Sequence, residues 1–476
     1  MNQAIQKLRL HVSGEKNTGF SEADAAAAER VESELAATHQ LFAEELTADL
    51  VARQRAWTVS HQQDATIGDV VARAEQARSD FDVLVTIGVG GSDLSARLFH
   101  DVLNGPYHNF TRRVAGGPPE AYFTGDTFDP TGLERLLSML CQRGLLGRTL
   151  FNVISKSGTT GETISTLMVL RDYLNAKLPC TGPTWNEYVL ATTGIGDGSA
   201  LYRLHQSAPF YGGEPLPIPD GVGGRFSAFS PVGLFFLAAT VGGEEPPGSR
   251  VDRLLEGVAQ AHARFCLPHD SPDNIAYRLA GWLHAMEDAG KSALVFYNYA
   301  DNRFLGEWFV QLAAESIQER GAGMDVLAAR GPTSNHSLYN GILNGPRNKA
   351  VLFVRWEDLG SDLTIPTGTQ IGGRFPCFEG LPMAEAQEAS YEGTAEDLTH
   401  HGIPNATLVA PARDARSLGE LMRTLMDAVA VKGRLQGLHL DEDGVLDLEG
   451  EPTYRQDAVE GYKRRTEDRS EARARP

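Results

Sequence analysis

The chain has 476 residues, of which 42% are hydrophobic and 22% charged, and its formal net charge at pH 7 is −19. This composition is typical of a globular protein with a sizeable core, and the length predicts two or three domains. An acidic surface repels nucleic acid and anionic membranes, so we expect neither as a partner.

The cysteines are scattered along the chain, with no CxxC pair and no nearby histidine at metal-ligand spacing. This distribution favours reduced thiols in a reducing compartment over a metal site. The segment MNQAIQKLRLHVSGEKN lacks the apolar core of a signal peptide, and no stretch approaches the roughly 18 uninterrupted apolar residues of a membrane span. We therefore expect a soluble, cytoplasmic protein without a bound metal.

The predicted elements begin with helices. Residues 21–57 are rich in Ala, Glu and Leu and contain no Gly or Pro, so residues 1–60 are interpreted as a helical N-terminal segment. From 61 to 243, short apolar runs alternate with helical patterns, and the runs start at Asp82, Leu150 and Glu187. This alternation predicts a mainly parallel sheet with helices on both faces.

A cluster of Gly, Pro and Glu, VGGEEPPGSR at 241–250, marks the predicted boundary to a second unit, residues 244–440. The strand candidates of this unit are ALVFYN (293–298), MDVLAA (324–329), KAVLFVRW (349–356) and ATLVAP (406–411). Residues 441–476 are interpreted as an arm and a C-terminal helix with a charged end. The predicted fold class is therefore α/β, with two αβα sandwich units between a helical N-terminal segment and a C-terminal helix.

The first candidate binding loop is TIGVGGSD, where glycines and Ser92 follow a predicted strand and precede a predicted helix. Backbone N–H groups in this geometry can bind an anion. The G-x-G-G spacing is neither a dinucleotide fingerprint nor a P-loop. Two interpretations stay open here: a tight turn in which Ser92 caps the helix, and an anion-binding loop that uses Gly91 and Ser92.

The second candidate loop, SKSGTTGET, is rich in hydroxyl groups: Ser155, Ser157, Thr159, Thr160 and Thr163. Lys156 adds a positive charge. A capping box formed by Thr159 and Glu162 would explain two of these residues but not five donors. The segment therefore predicts a metal-free phosphate cradle made by Ser155, Lys156, Ser157 and Thr160.

Both loops resemble those of the sugar-isomerase (SIS) fold, which binds phosphosugars. Further segments, in the same order along residues 85–463, resemble the glucose-6-phosphate isomerase family. GVGGRFSAFSPVGL (221–234) is similar to that family's VGGR[FY]S, and WFVQLAAESIQER, from Trp308, to its Q-x-x-x-E-S helix. GPTSNHSLYNGILNGPRNK, from Gly331, is similar to T-D-Q-H-S…GP, and RQDAVEGYK, from Arg455, to D-Q-x-G-V-E-x-x-K. The chain departs from the family's E-S-x-G-K pattern, because Ile317-Gln318-Glu319 follows Glu315-Ser316.

The resemblance implies an aldose–ketose isomerisation, in which a proton moves between C2 and C1 of a sugar phosphate without a metal or redox cofactor. Glu315 is the implied base. It lies one helical turn after Gln311, beside an apolar stripe that would partly desolvate its carboxylate, although a solvent-facing glutamate is the alternative from spacing alone. The implied stabiliser of the enediolate is Arg225, which spacing alone would interpret as a surface arginine.

The resemblance also implies that His336 and Lys463 take part in ring opening, although a loop histidine and a lysine in a basic run are often incidental. The implied sugar contacts are Gly91, Ser92 and Gln311, and Gln456 is expected to contact phosphate or sugar. Members of the family share active sites within a homodimer, so His336 is expected to be donated across the interface. Two alternatives stay open: a dual glucose/mannose phosphate isomerase, and a non-catalytic phosphosugar-binding protein.

Overall fold

The computed structural model describes residues 7–12, 30–40, 55–111, 117–179, 182–242, 246–368, 377–441, 443–445, 451–455 and 457–474. The chain divides into two compact units. The first unit contains Glu45–Leu255 and His439–Pro476, and the second contains Met1–Glu44 and Glu256–Leu438.

The strands of the described residues are β1 (Arg9–Val12), β2 (Val83–Ile87), β3 (Glu120–Thr124), β4 (Thr149–Ile154), β5 (Val189–Thr193), β6 (Leu216–Pro217), β7 (Ala293–Asn298), β8 (Asp325–Arg330), β9 (Lys349–Asp358) and β10 (Asn405–Ala412).

The α-helices are α1 (described over 30–40), α2 (Asp64–Asp80), α3 (Leu94–Phe99), α4 (His108–Thr111), α5 (Pro130–Gln142), α6 (Gly161–Lys177), α7 (Ala200–Ser207), α8 (Pro231–Ala239), α9 (Pro247–Phe265), α10 (Ile275–Asp288), α11 (Phe304–Ile317), α12 (Tyr339–Leu343), α13 (Met383–His400), α14 (Ala415–Leu435) and α15 (Asp457–Ala474).

The sheet of the first unit is parallel, with the strand order β3-β2-β4-β5-β6 among the described residues. Its central strands, β2, β4 and β5, are buried along their whole length. Because both faces of these strands are covered, their sequences are continuous apolar or β-branched runs without polar alternation. The carboxyl ends of β2 and β4 lead directly into the two candidate loops.

The sheet of the second unit has the order β1-β10-β9-β7-β8, in which β1 pairs antiparallel with β10 and the other pairings are parallel. Its buried strands β7 and β9 supply Tyr297 and Phe353 to a core cluster. The predicted α/β fold class with mainly parallel sheets is confirmed. Strand β1 lies inside the segment that the sequence predicted to be helical, whereas residues 30–40 are helical as predicted.

Side-chain caps and prolines fix several helix starts. Asp129 accepts a hydrogen bond from the Thr131 amide with Pro130 at the first helical position, and Ser230 caps α8 next to Pro231 in the same way. No helix in the described ranges is long and apolar enough to cross a bilayer.

His100 is a half-buried histidine in the first unit, in a short π-helical turn that follows α3. Its ring lies 5.4 Å from that of His108 and contacts the rings of Phe123 and Phe236. Burial, and then repulsion from His108, lowers the pKa of His100 from 6.5 to about 4. The folded protein therefore holds this ring neutral.

This burial predicts a loss of stability on acidification. Between about pH 6.5 and pH 4 the unfolded chain protonates His100 and the folded chain does not, so the free energy of unfolding falls by up to about 3 kcal/mol as the pH decreases. Urea unfolding at pH 7 and pH 4.5 should show a smaller decrease for His100→Gln than for the unsubstituted chain. His400→Gln, at an exposed histidine, is the matched control, and equal decreases in all three proteins would contradict the prediction.

Candidate functional site

The glycine loop after β2 is shaped by a close backbone contact. Gly90 has a φ of +59°, a conformation that favours glycine. A Cβ atom on Gly91 would lie 2.1 Å from the carbonyl carbon of Gly224, so only glycine fits there. Ser227 donates hydrogen bonds to the carbonyl oxygens of Gly91 at 3.1 Å and Gly224 at 2.6 Å. The loop is therefore fixed against the segment that carries Arg225.

Ser92 does not cap the following helix. It ends a 3-10 turn, Gly90–Ser92, and the N-cap of α3 is Asp93, which makes no side-chain capping hydrogen bond. Asp93 is buried and forms an ion pair with Arg97. The loop is therefore a tight turn, as one interpretation had it, but Ser92 is not the helix cap, and its contact with a sugar remains a prediction.

The hydroxyl-rich loop after β4 is held by its own side chains. The buried Ser155 hydroxyl lies 2.9 Å from the Thr160 hydroxyl and accepts a hydrogen bond from the Gly158 amide at 3.1 Å. Ser157 is exposed, and its hydroxyl lies 2.8 Å from that of Thr159. The structure thus places four neighbouring hydroxyl groups at the start of α6.

The N-terminus of α6 lacks a side-chain cap. Its N-cap residue is Thr160, without a capping hydrogen bond, so the alternative capping box of Thr159 and Glu162 is wrong. The first amides of a 17-residue helix therefore remain as donors, with the positive end of the helix dipole behind them. This arrangement can bind a phosphate group.

Lys156 crosses from this loop to the segment before Arg225. Its ammonium donates to the carbonyl oxygens of Asp220 at 2.5 Å and Val222 at 3.1 Å. Burial lowers the pKa of Lys156, and the Asp220 carboxylate acts in the opposite direction. The structure therefore ties the predicted cradle to residues 220–227, which also contact the glycine loop.

Arg225 is a buried residue, 2% exposed, which rules out the surface-arginine interpretation. Its Nη2 donates to the carbonyl oxygens of Thr453 at 2.7 Å and Arg455 at 2.9 Å. In the same unit, the fully buried pair Arg55 and Glu451, 2.9 Å apart, holds the start of this C-terminal arm. Two buried arginines thus fix the arm that leads into α15.

Lys463 lies on α15, where its side chain is 41% exposed and its ammonium is 2.8 Å from Glu460. This hydrogen bond lowers the pKa of Glu460. Gln456, the other residue predicted in this region, lies outside the described residues.

In the second unit, Glu315 and Gln311 are neighbours on one face of α11, as their spacing predicted. The Gln311 amide donates to the Glu315 carboxylate at 3.2 Å. Both side chains are half-buried beside Trp308, Phe309 and Leu312, which are buried. Glu315 is therefore not fully exposed, and its role as the base remains a prediction.

His336 is exposed at the end of a 3-10 turn, Thr333–His336. Its neighbour Asn335 anchors the turn, since its amide group donates to Tyr299 at 3.0 Å and Thr394 at 2.9 Å and accepts a hydrogen bond from Tyr297. Ser334 accepts a hydrogen bond from the Arg330 amide at 3.0 Å. An ordered turn therefore presents a solvent-facing imidazole.

Two residues near the cradle were not singled out as ligands by the sequence. Phe128 is 55% exposed and lies against Gly161 at the start of α6. A Cβ atom added to Gly161 would lie 3.3 Å from the Phe128 ring. Thr163, counted only as one hydroxyl among five, has a buried Oγ1 without a hydrogen-bond partner in the described part of the chain. Phe128 carries no motif signal, because its place beside α6 depends on the sheet order.

The contact between Gly91 and Gly224 predicts a size limit at position 91. Gly91→Ala should lower the free energy of unfolding by about 2 kcal/mol or more, because the added methyl overlaps backbone atoms that cannot rotate away. Gly132→Ala in α5 is the matched control, since nothing lies within 4 Å of its Cβ position, and its effect should stay within about 1 kcal/mol. Urea unfolding measures both, and equal effects would contradict the assigned contact.

The comparisons with known proteins agree with one another. The family model described as phosphoglucose isomerase matches residues 62–329. The glucose-6-phosphate isomerase of Levilactobacillus brevis is 31% identical over 400 residues, which cover 84% of this chain and 82% of the relative. That of Symbiobacterium thermophilum is 32% identical over 374 residues, with coverage of 78% and 79%.

Solved structures show the same fold. A hypothetical protein from Thermus thermophilus matches with a TM-score of 0.77 at 26% identity, over 97% of this chain and 99% of that one. A glucose-6-phosphate isomerase from Chlamydia trachomatis matches with a TM-score of 0.69 at 20% identity, over 89% and 76%. The family model and the sequence relatives each cover more than half of the chain, and the chain therefore belongs to the phosphoglucose isomerase family.

Proposed function

We propose that this protein interconverts glucose-6-phosphate and fructose-6-phosphate through ring opening and a cis-enediolate intermediate, with no metal or redox cofactor. Membership of the family supports the reaction. The observation that carries the mechanism is the carboxylate of Glu315, which is half-buried on α11 and oriented by a hydrogen bond from Gln311. A positioned, partly desolvated carboxylate is suited to take a proton from C2 and return it to C1.

The phosphate group is proposed to bind at the start of α6. Ser155, Ser157 and Thr160 offer hydroxyl groups, and the uncapped first turn of the helix offers amides. Lys156 adds its charge beside them. These donors supply the local positive potential that an anionic substrate needs against the net charge of −19.

Arg225 is proposed to stabilise the negative oxygen of the enediolate. Its guanidinium is permanently charged and buried, so water screens its field weakly. The proposed ring-opening residues are His336, which is exposed, and Lys463. Gly91, Ser92 and Gln311 are proposed to contact the sugar, and Gln456 the sugar or the phosphate.

We also propose that the protein is a cytoplasmic homodimer in which His336 serves the partner's site. Family membership supports the dimer. The exposed imidazole on an anchored turn supports the donation, because such a group can reach a second subunit without rearrangement of the turn.

The role of Glu315 predicts a large effect of removing its charge. In a coupled assay of fructose-6-phosphate conversion without added metal, Glu315→Gln should lower kcat by about a thousandfold, because amides do not accept the proton. Glu307→Gln, two turns earlier on α11 and paired with Arg303, is the matched control and should stay near the unsubstituted rate.

Two outcomes would contradict this assignment. An unsubstituted protein that binds the phosphosugar but does not convert it would favour a non-catalytic binding protein. If the Glu315→Gln variant retains its activity, the isomerase function stands but Glu315 is not its base. The same preparation assayed with mannose-6-phosphate distinguishes the dual-specificity alternative.

Donation of His336 predicts complementation between inactive subunits. When Glu315→Gln and His336→Ala chains are co-expressed, each mixed dimer contains one site with both native residues, so about a quarter of the normal activity per site should return. If His336 acts within its own subunit, no site regains both residues and the mixture stays inactive. A monomeric mass in light scattering, with full activity, would overturn the dimer itself.

A further inference from the structure

A chain of partly buried polar contacts lies among helices α10, α11 and α14 of the second unit. Its centre is Lys432 on α14, whose side chain is only 1% exposed. The Lys432 ammonium donates to Oε2 of Glu287 at 2.5 Å and to Nδ1 of His284 at 3.0 Å, both on α10. Because Nδ1 accepts this hydrogen bond, the proton of the neutral imidazole is on Nε2, which lies 3.4 Å from Glu34.

The same chain ends on the helix that carries Glu315. Gln436, one turn after Lys432, donates to Oε2 of Glu287 at 3.1 Å and to the carbonyl oxygen of Ile317 at 3.1 Å. Ile317 is the last residue of α11, two residues after Glu315. Its carbonyl is one of the groups that a helix end leaves without an intrahelical partner, and here a side chain satisfies it.

Glu287 also fixes the turn after α11. Its Oε1 accepts a hydrogen bond from the Gly323 amide at 2.6 Å. Gly323 has a φ of +97°, and a Cβ there would lie 2.3 Å from the Ile317 carbonyl oxygen. The carboxylate of Glu287 therefore links the ammonium of Lys432 directly to the turn after α11, and through Gln436 to the end of α11 itself.

Lys432 and Glu287 each stabilise the charged form of the other. Burial acts to raise the pKa of Glu287, but attraction and hydrogen bonding from Lys432, together with the hydrogen bond from the Gly323 amide and attraction from His284, outweigh it, and the pKa is lowered. Burial lowers the pKa of Lys432, and Glu287 opposes this effect. Replacing a buried ion pair by apolar residues is often neutral or stabilising, so such a pair is weak evidence for a role in stability. The contacts of Glu287 with Gly323 and of Gln436 with Ile317 instead support a role in geometry.

We propose that Lys432, Glu287 and Gln436 are positioning residues that fix the carboxyl end of α11 and thereby the carboxylate of Glu315. The proposal rests on the isomerase function proposed above. A shift of about 1 Å in a reacting group can lower a rate about a hundredfold, so a base near the end of a helix depends on how that end is held.

A second buried pair on the same helix provides a matched control. Arg423 and Asp427 of α14 are 0% and 1% exposed and lie 2.9 Å apart, and Arg423 also bonds to His262 on α9. Lys432→Met and Arg423→Met each remove a buried cation from α14. The first removes the contacts that lead to the end of α11, and the second removes contacts that lead to α9.

The test compares kcat, KM and thermal unfolding of the full chain with these substitutions. Lys432→Met should lower kcat about 10- to 100-fold with KM changed less than about threefold, and should shift the acidic limb of the kcat–pH profile, which reports the base. Lys432→Arg should recover part of the rate. Arg423→Met should lower the unfolding temperature and leave kcat of the folded protein near normal.

Gln436→Met is the milder variant if Lys432→Met does not fold, because it removes only the bond to the Ile317 carbonyl and those to Glu287. It should lower kcat in the same direction. The proposal is overturned if the kcat values of the Lys432 and Gln436 variants match that of Arg423→Met. An inactive unsubstituted chain would instead overturn the isomerase function, so the two failures are distinguishable.

Discussion

The first unit depends on the contact between the backbone of Gly91 and that of Gly224. It requires that position 91 carry no side chain, and Ser227 donates hydrogen bonds to the carbonyl oxygens of both glycines. Through residues 220–227 the same contact reaches Lys156 on one side and Arg225 on the other. Hydrogen bonds and one close backbone contact therefore keep three loops that are distant in sequence in one arrangement.

The buried strands were the part of the fold that the sequence predicted well. Each apolar run expected to be a strand corresponds to one of β2, β4, β5, β7, β8, β9 and β10, with ends within a few residues. Strands β1, β3 and β6 were missed. The segments RLHV, EAYFT and LP are short, lie at sheet edges and carry polar or proline residues, so their pairing depends on a neighbouring strand more than on their own composition.

The candidate site was predicted unevenly for a similar reason. Residues adjacent in sequence, such as the hydroxyl groups of 155–160, or one helical turn apart, such as Gln311 and Glu315, could be grouped from spacing. The burial of Arg225 could not be predicted from spacing, because the carbonyl oxygens that accept its hydrogen bonds lie 228 and 230 residues away in the sequence. Asn335, at a position where the chain departs from its family's pattern, anchors the His336 turn through side chains of β7 and α13.

The arm contacts also constrain how the protein is made. Arg55 and Arg225 bury their charges against residues 451–455, which leave the ribosome 396 and 228 residues later. Until then the first unit holds two cations without these acceptors, which is a costly state for buried charge. The nascent first unit therefore remains incomplete while Glu256–Leu438 of the second unit is translated, and it can close only after residues 451–455 have emerged.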